Sequence, residues 1–385
     1  MQKIVLVTAG GHISSFHASM KGMHYYLENN AKGKFELWGA RGGVKGLING
    51  DLIKIKSEYI DICRAGSMIG ADRKRIQSGE LEKVVDSVGK RNVNGVYAVV
   101  MMGGDNHLKE AANLFGAGVN IIGYPKTMDG DLSSLISLGW ESAVTVGSIQ
   151  TRLHHNTALT NRRIFYVGLF GRNTDWILCG VNAYGGGDIG IPCEQSYKWN
   201  FIWEKISNSI KLNKDNYGIE FAVVPYSEGA KIDEINDPPM EHKNKDDHDL
   251  PKLQPEWIGM ELVRLSKEKG KNAAFQAHTY DMRDSPPTET EKRLSWMTGE
   301  ECMKMILDND FGKCAVFESD GFGFYKNARE PLGKVAIQKK LSQTNFFDYN
   351  LLIHTKFFTD CYSDLFRGSL GKPPAKDSLV YRNMV

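Results

Sequence analysis

Three largely apolar runs, at residues 4–7, 96–102 and 119–123, constrain what this chain can fold into more than any other feature of its sequence. None shows the strict polar–apolar alternation of a strand with one wet face. Short continuous apolar runs fit strands covered on both sides, as in a parallel sheet held between helices. Each run stops abruptly at glycine or proline. Thr8-Ala9-Gly10-Gly11 ends the first and Gly103-Gly104-Asp105-Asn106-His107 the second. The third leads into Pro125-Lys126-Thr127-Met128-Asp129-Gly130-Asp131. In open α/β sheets the carboxyl ends of the strands carry the chemistry. Two of these ends deliver three carboxylates and a lysine, a set suited to a divalent cation and phosphate.

Helical patterns at 17–28, 80–90 and 108–114 and a strand at 35–38 alternate with these runs, which predicts a doubly wound parallel sheet. A second cycle follows a helical segment at 142–157. Its strands are predicted at 164–169 and 219–225, and its helices at 176–183 and 257–269. At 385 residues the chain exceeds the usual size of one core, so two domains are expected. Between 231 and 255 prolines, acids and lysines replace apolar residues, including Lys243-Asn244-Lys245-Asp246-Asp247; a surface excursion is predicted there.

Charge and cysteine usage exclude some partners. Lys+Arg 48 against Asp+Glu 46 leaves a net charge of +2, which speaks against a nucleic-acid arm or a polybasic membrane patch. Six scattered cysteines without a C-x-x-C predict free thiols and a cytoplasmic setting. No apolar run is long enough to span a bilayer, and the amino-terminal run is too short for a signal peptide core.

Each candidate residue has a functional and a plainer reading. Gly10-Gly11 lets backbone N–H groups approach a phosphate, because no Cβ intervenes, but it also makes an ordinary turn. Arg73, in Gly70-Ala71-Asp72-Arg73-Lys74-Arg75, is a fixed cation for a phosphate or part of a solvated basic cluster. Asp105 is a Mg²⁺ ligand or an acid at a helix start. Asp129 and Asp131, two apart, would face one side of an extended backbone, one acting on a hydroxyl and the other leaning toward the metal, or they are two solvated acids of a polar turn. Lys126 and Arg172 would neutralise phosphate charge, and Glu228 would accept from sugar hydroxyls. His154-His155 reads as a surface pair. No G-x-x-x-x-G-K-[ST] or G-x-G-x-x-G stands at a strand end, which speaks against a Walker ATPase or a dinucleotide dehydrogenase.

The order of these segments, with Arg163, Phe170-Gly171-Arg172 and Ser227-Glu228-Gly229, resembles the phosphofructokinase family. Pro125-Lys126-Thr127, with lysine rather than glycine, is similar to its pyrophosphate-dependent branch. Pro331-Leu332, Val335-Ala336 and Lys376-Asp377-Ser378-Leu379 extend the likeness. The resemblance implies an α/β fold of two Rossmann-like three-layer α/β/α domains with mostly parallel sheets and the active site in the cleft between them. Residues 1–143, completed by part of 285–330, would bind the donor and magnesium. Residues 144–284 would bind the sugar phosphate, and 331–385 would be an extension packing back on the domains. Asp129 would take the proton from the 1-hydroxyl of fructose 6-phosphate, with Lys126 and Arg172 assisting. Asp105, with Asp131, would hold Mg²⁺. Gly11, Arg73, Gly104, Asn106 and Lys126 would hold pyrophosphate. Thr127, Arg163, Phe170, Gly171, Glu228 and Arg283 would hold the sugar phosphate. One arginine commonly comes from a neighbouring subunit in this family, so a homodimer or homotetramer is implied.

The chain departs from the family pattern at Asn106, His107, Gly130 and Phe170, in the first loop, and at Asn173-Thr174-Asp175-Trp176. Asn106 stands where ATP users carry glycine and pyrophosphate users aspartate, which leaves ATP or another sugar phosphate as the alternative. A non-catalytic homologue is the third reading.

Overall fold

A computed structural model describes residues 1–88, 95–236, 253–319 and 324–374. The predicted charge run at 243–247 and the Lys376-Asp377-Ser378-Leu379 motif lie outside them. The chain divides into two compact units, Met1–Trp140 with Arg283–Gln338, and Glu141–Met282 with Lys339–Val385.

The first unit is built on a seven-stranded sheet. Its early strands are β1 (Gln2–Thr8), β2 (Phe35–Ala40), β3 (Leu52–Lys54), β4 (Val96–Gly103) and β5 (Ile121–Pro125). Across the sheet the order is Tyr325–Pro331, Lys313–Ser319, β5, β4, β1, β2, β3. The five central strands are parallel, and the two edge strands antiparallel. Val5, Val7, Val99, Met101 and Ile121 are fully buried in one core, as strands without a wet face require. The chain runs from β1 to β2 on one side and returns to β4 on the other. The strand order therefore reverses between β1 and β4, where an open α/β sheet offers a binding crevice. Gly10-Gly11 and Gly103-Gly104 lie at that point.

Helix α1 (Phe16–Asn30) packs against Glu289–Leu307 at very close range. A Cβ on Gly22 would fall 2.4 Å from the Trp296 carbonyl oxygen, and one on Gly299 2.2 Å from that of Ser19. The approach buries Glu291, whose carboxylate accepts from the Ser15 hydroxyl at 3.1 Å and the Gly139 N–H at 2.6 Å. That carboxylate fixes the connection just beyond Asp131.

The second unit holds a three-stranded parallel sheet, Ala273–Ala277, β6 (Ile164–Leu169) and Ala222–Ser227. Ile164, Tyr166, Ala222 and Val224 lie in its core with Ile202, Ile206 and Leu262 from flanking helices. At the start of the region predicted as an excursion, Lys231–Ile232 pairs with Ser196–Tyr197. Among the described residues, no helix is long and apolar enough to cross a membrane.

Candidate active site

At the end of β1, Ala9 pairs with Asp72 in a parallel bridge and the Gly10 N–H donates to the Asp72 carbonyl at 2.6 Å. Gly10 adopts φ +79°, and a Cβ there would meet the Lys126 Nζ at 3.3 Å. A Cβ on Gly11 would lie 3.2 Å from the Arg283 guanidinium. The left-handed backbone favours glycine at position 10, and a side chain at position 11 would require the Arg283 guanidinium to give way slightly.

Lys126 is 3% exposed, and its ammonium donates to the Gly11 carbonyl. Burial, followed by the Arg283 and Arg73 guanidiniums, brings its pKa down to about 7, while Asp129 opposes the shift. Lys126, Arg73, Arg283 and Asp129 therefore form one electrostatic cluster. The arginine predicted to clamp a sugar 6-phosphate from 144–284 belongs to the first unit, where Arg283 Nη2 also reaches Met128 Sδ at 3.3 Å.

The two acids of the 125–131 segment do not leave an extended backbone. Met128 and Asp129 form a turn, and Gly130 is left-handed at φ +70° with the Trp140 indole 2.7 Å from where a Cβ would sit. The side chains still converge. Burial, then the Asp129 and Asp105 carboxylates, push the Asp131 carboxyl up, and the Gln338 amide donates to it at 2.7 Å. The Asp129 N–H donates to Thr127 Oγ1 at 3.2 Å, and that hydroxyl lies 3.4 Å from the Asp129 carboxylate. Asp105 opens the helix Asp105–Gly116 directly after Gly104, with Asn106 half-buried beside it. The neighbouring Asp129 and Asp105 carboxylates favour a cation or a proton at Asp131. Their all-oxygen character fits Mg²⁺, which keeps waters and phosphate oxygens as its other ligands. Among the described residues no group of three or more His, Cys, Asp or Glu side chains is placed to hold a metal ion.

In the second unit, the carboxyl ends of the strands gather Phe170, Gly171, Arg172 and Glu228. The Glu228 N–H donates to the Leu169 carbonyl at 2.8 Å and the Gly229 N–H to that of Gly171 at 3.0 Å. Gly171 has φ +144°, with Ser227 Oγ 2.9 Å from a would-be Cβ. The Phe170 ring meets Tyr280 edge-on at 6.2 Å. Arg163 stands apart at the opposite end of β6, roughly 20 Å away at the ordinary strand rise.

Sequence reasoning missed Asp175, which is fully buried. It accepts from the Cys193 and Glu194 N–H groups at 2.8 and 3.0 Å and from Ser227 Oγ at 2.9 Å, so it pins the 227–229 loop. Its place before a helix start was the available signal. The His154-His155 pair is not on the surface. His155 is buried with Nε2 2.6 Å from the Gly186 carbonyl, and His154 Nε2 lies 2.7 Å from that of His278, itself 2.8 Å from Asp281.

The phosphofructokinase family model matches residues 3–306. The chain belongs to the phosphofructokinase family. Among its relatives, ATP-dependent 6-phosphofructokinase 3 of Bacteroides thetaiotaomicron is 25% identical over 94% of this chain and 99% of its own length. ATP-dependent 6-phosphofructokinase 2 of Clostridium perfringens is 29% identical over 60% and 65%. Among solved structures, pyrophosphate-dependent phosphofructokinases of Marinobacter aquaeolei and Nitrosospira multiformis share the fold at TM-scores of 0.76 and 0.79. They are 18% and 17% identical, cover 98% of this chain, and are themselves covered to 95% and 94%. The likeness confirms the predicted α/β class with mostly parallel sheets.

Proposed function

We propose that this phosphofructokinase-family phosphotransferase moves a phosphoryl group from pyrophosphate to the 1-hydroxyl of fructose 6-phosphate. Buried Lys126 carries this reading. It occupies the turn between the glycine pair and the carboxylates, where a small, highly charged donor meets three cations and a bulky one loses space. Asp129, held by Thr127, accepts the proton of the attacking hydroxyl. Lys126, Arg73 and Arg283 meet the donor charge, a role for Arg283 that replaces its predicted place on the sugar phosphate. In phosphoryl transfer such positioning and charge neutralisation supply most of the catalysis. Asp105 and Asp131 would hold Mg²⁺, which would supply charge neutralisation to the phosphoryl group. Gly104 and Asn106 border the donor phosphates. Gly171, Arg172, Glu228 and the Phe170 backbone receive the sugar phosphate. Arg163, at the far end of β6, serves a neighbouring subunit, so the enzyme works as a homodimer or homotetramer.

A second reading, ATP as donor, is favoured by the names of the sequence relatives. Coupled assays with pyrophosphate and with MgATP, each against several sugar phosphates, decide between them. Turnover with ATP alone overturns the donor assignment. No turnover with either, in a folded protein, supports the non-catalytic homologue.

A further inference from the structure

Arg73 sits in a short segment that is held from both sides. On one side Asp72 pairs with Ala9, and its carboxylate accepts the Val44 and Lys45 N–H groups at 3.0 and 2.8 Å. On the other, the helix Asp105–Gly116 reaches across with His107 and Glu110, three apart and so on one face. His107 Nε2 lies 3.3 Å from the Lys74 carbonyl, which can only accept, so this nitrogen carries the hydrogen. The Ile76 N–H donates to Glu110 Oε1 at 3.3 Å. His107 is 5% exposed and packs against the same glycines that shape the donor turn. A Cβ on Gly103 would fall 2.6 Å from His107 Cβ, and one on Gly10 3.7 Å from the imidazole.

We propose that His107 and Glu110 are positioning residues for the phosphoryl donor, fixing the backbone beyond Arg73 so that its guanidinium stays within electrostatic reach of Lys126. This rests on the reading that Arg73 and Lys126 hold the donor. A side chain as short as serine at position 107 would not reach the Lys74 carbonyl. The helix that presents Asp105 thereby also sets Arg73, so the acidic and basic sides of the donor site share one rigid support.

The test measures the affinity of magnesium pyrophosphate and MgATP by calorimetry, and kinetics with whichever supports turnover. His107→Ser and Glu110→Ala are each expected to weaken donor binding roughly threefold to tenfold, the loss of one hydrogen bond. The fructose 6-phosphate KM and the kcat at saturating donor should stay within about twofold. His107→Gln, whose amide can donate to the same carbonyl, and Glu110→Gln, which keeps the acceptor, should retain most of the affinity; these variants decide the matter if a truncated one fails to fold. Arg73→Ala separates the two levels. If it leaves donor affinity unchanged, or if wild type binds neither donor, the donor reading falls and this inference with it. If Arg73→Ala weakens binding while neither His107→Ser nor Glu110→Ala does, the positioning role alone is overturned. Adding Glu110→Ala to Arg73→Ala should cost nothing further, and an additive loss overturns it too.

Discussion

Lys126 makes donor binding pH-dependent, and the structure fixes the direction. Its ammonium is buried, and its pKa in the free protein is about 7. A bound phosphate supplies the counter-charge that burial and two guanidiniums deny it. On donor binding the pKa should therefore return toward the ordinary ~10.4. Below about 7 the side chain is charged in both states and adds no pH term. Above it, the free enzyme must take up a proton to bind, so affinity falls toward roughly tenfold per pH unit. From about pH 7 to about pH 9 the loss is about fiftyfold for a single coupled proton. The assay is calorimetric donor titration across that range, in wild type and Lys126→Arg. Guanidinium stays charged throughout, so the variant should lack this slope. Ionisation of the donor itself is common to both proteins and cancels in their ratio. A ratio constant between pH 6.5 and pH 9 would refute the reasoning. The same shift reads out on stability. Between about 7 and 10.5 the unfolded chain holds the Lys126 proton more tightly, so this residue's contribution makes the fold more stable as pH rises through that window. Lys126→Met should accordingly stabilise the protein most below pH 7.

Asp129→Asn should lower kcat on the order of 10²–10⁴-fold with little change in KM, as loss of a general base does; a large rise in KM at unchanged kcat would contradict that role. Gly130→Asn should cost about 1–3 kcal/mol in urea denaturation, because its Cβ would meet Trp140. Unchanged stability would show that the indole can yield. Asp175→Ala should destabilise by roughly 3 kcal/mol, since it strands several buried donors, and Asp175→Asn by less. An Asp175→Ala denaturation midpoint equal to wild type would refute that account. Asn106→Gly should raise kcat/KM with MgATP relative to pyrophosphate on the order of tenfold; an unmoved ratio would remove Asn106 from donor selection.

Much of the fold was legible because buried parallel strands announce themselves locally. The strand predicted at 164–169 matches β6, and the runs at 4–7 and 96–102 fall within β1 and β4. The edge pairing of Lys313–Ser319 with Tyr325–Pro331 was not predicted. These strands come late in the sequence and join a sheet begun near residue 2, so no local signal places them there. Asp105, Lys126 and Asp129 were legible as strand-end residues because chemistry collects where parallel strands stop.

The sequence by itself determined the α/β class, the family resemblance and the segments that carry the acidic and basic groups. Those features follow from local apolar runs and from the glycines that end them. Only the tertiary structure decided which charges meet. It set Arg283 beside Gly11, replaced the extended Asp129–Asp131 backbone with a left-handed turn against Trp140, and pinned the Ser227 loop with Asp175. It also sent His107 and Glu110 across to the segment bearing Arg73. Electrostatic energy depends on distance and burial, and both are fixed by chain segments far apart in sequence. The lysine was visible at position 126; its lowered pKa exists only in the fold.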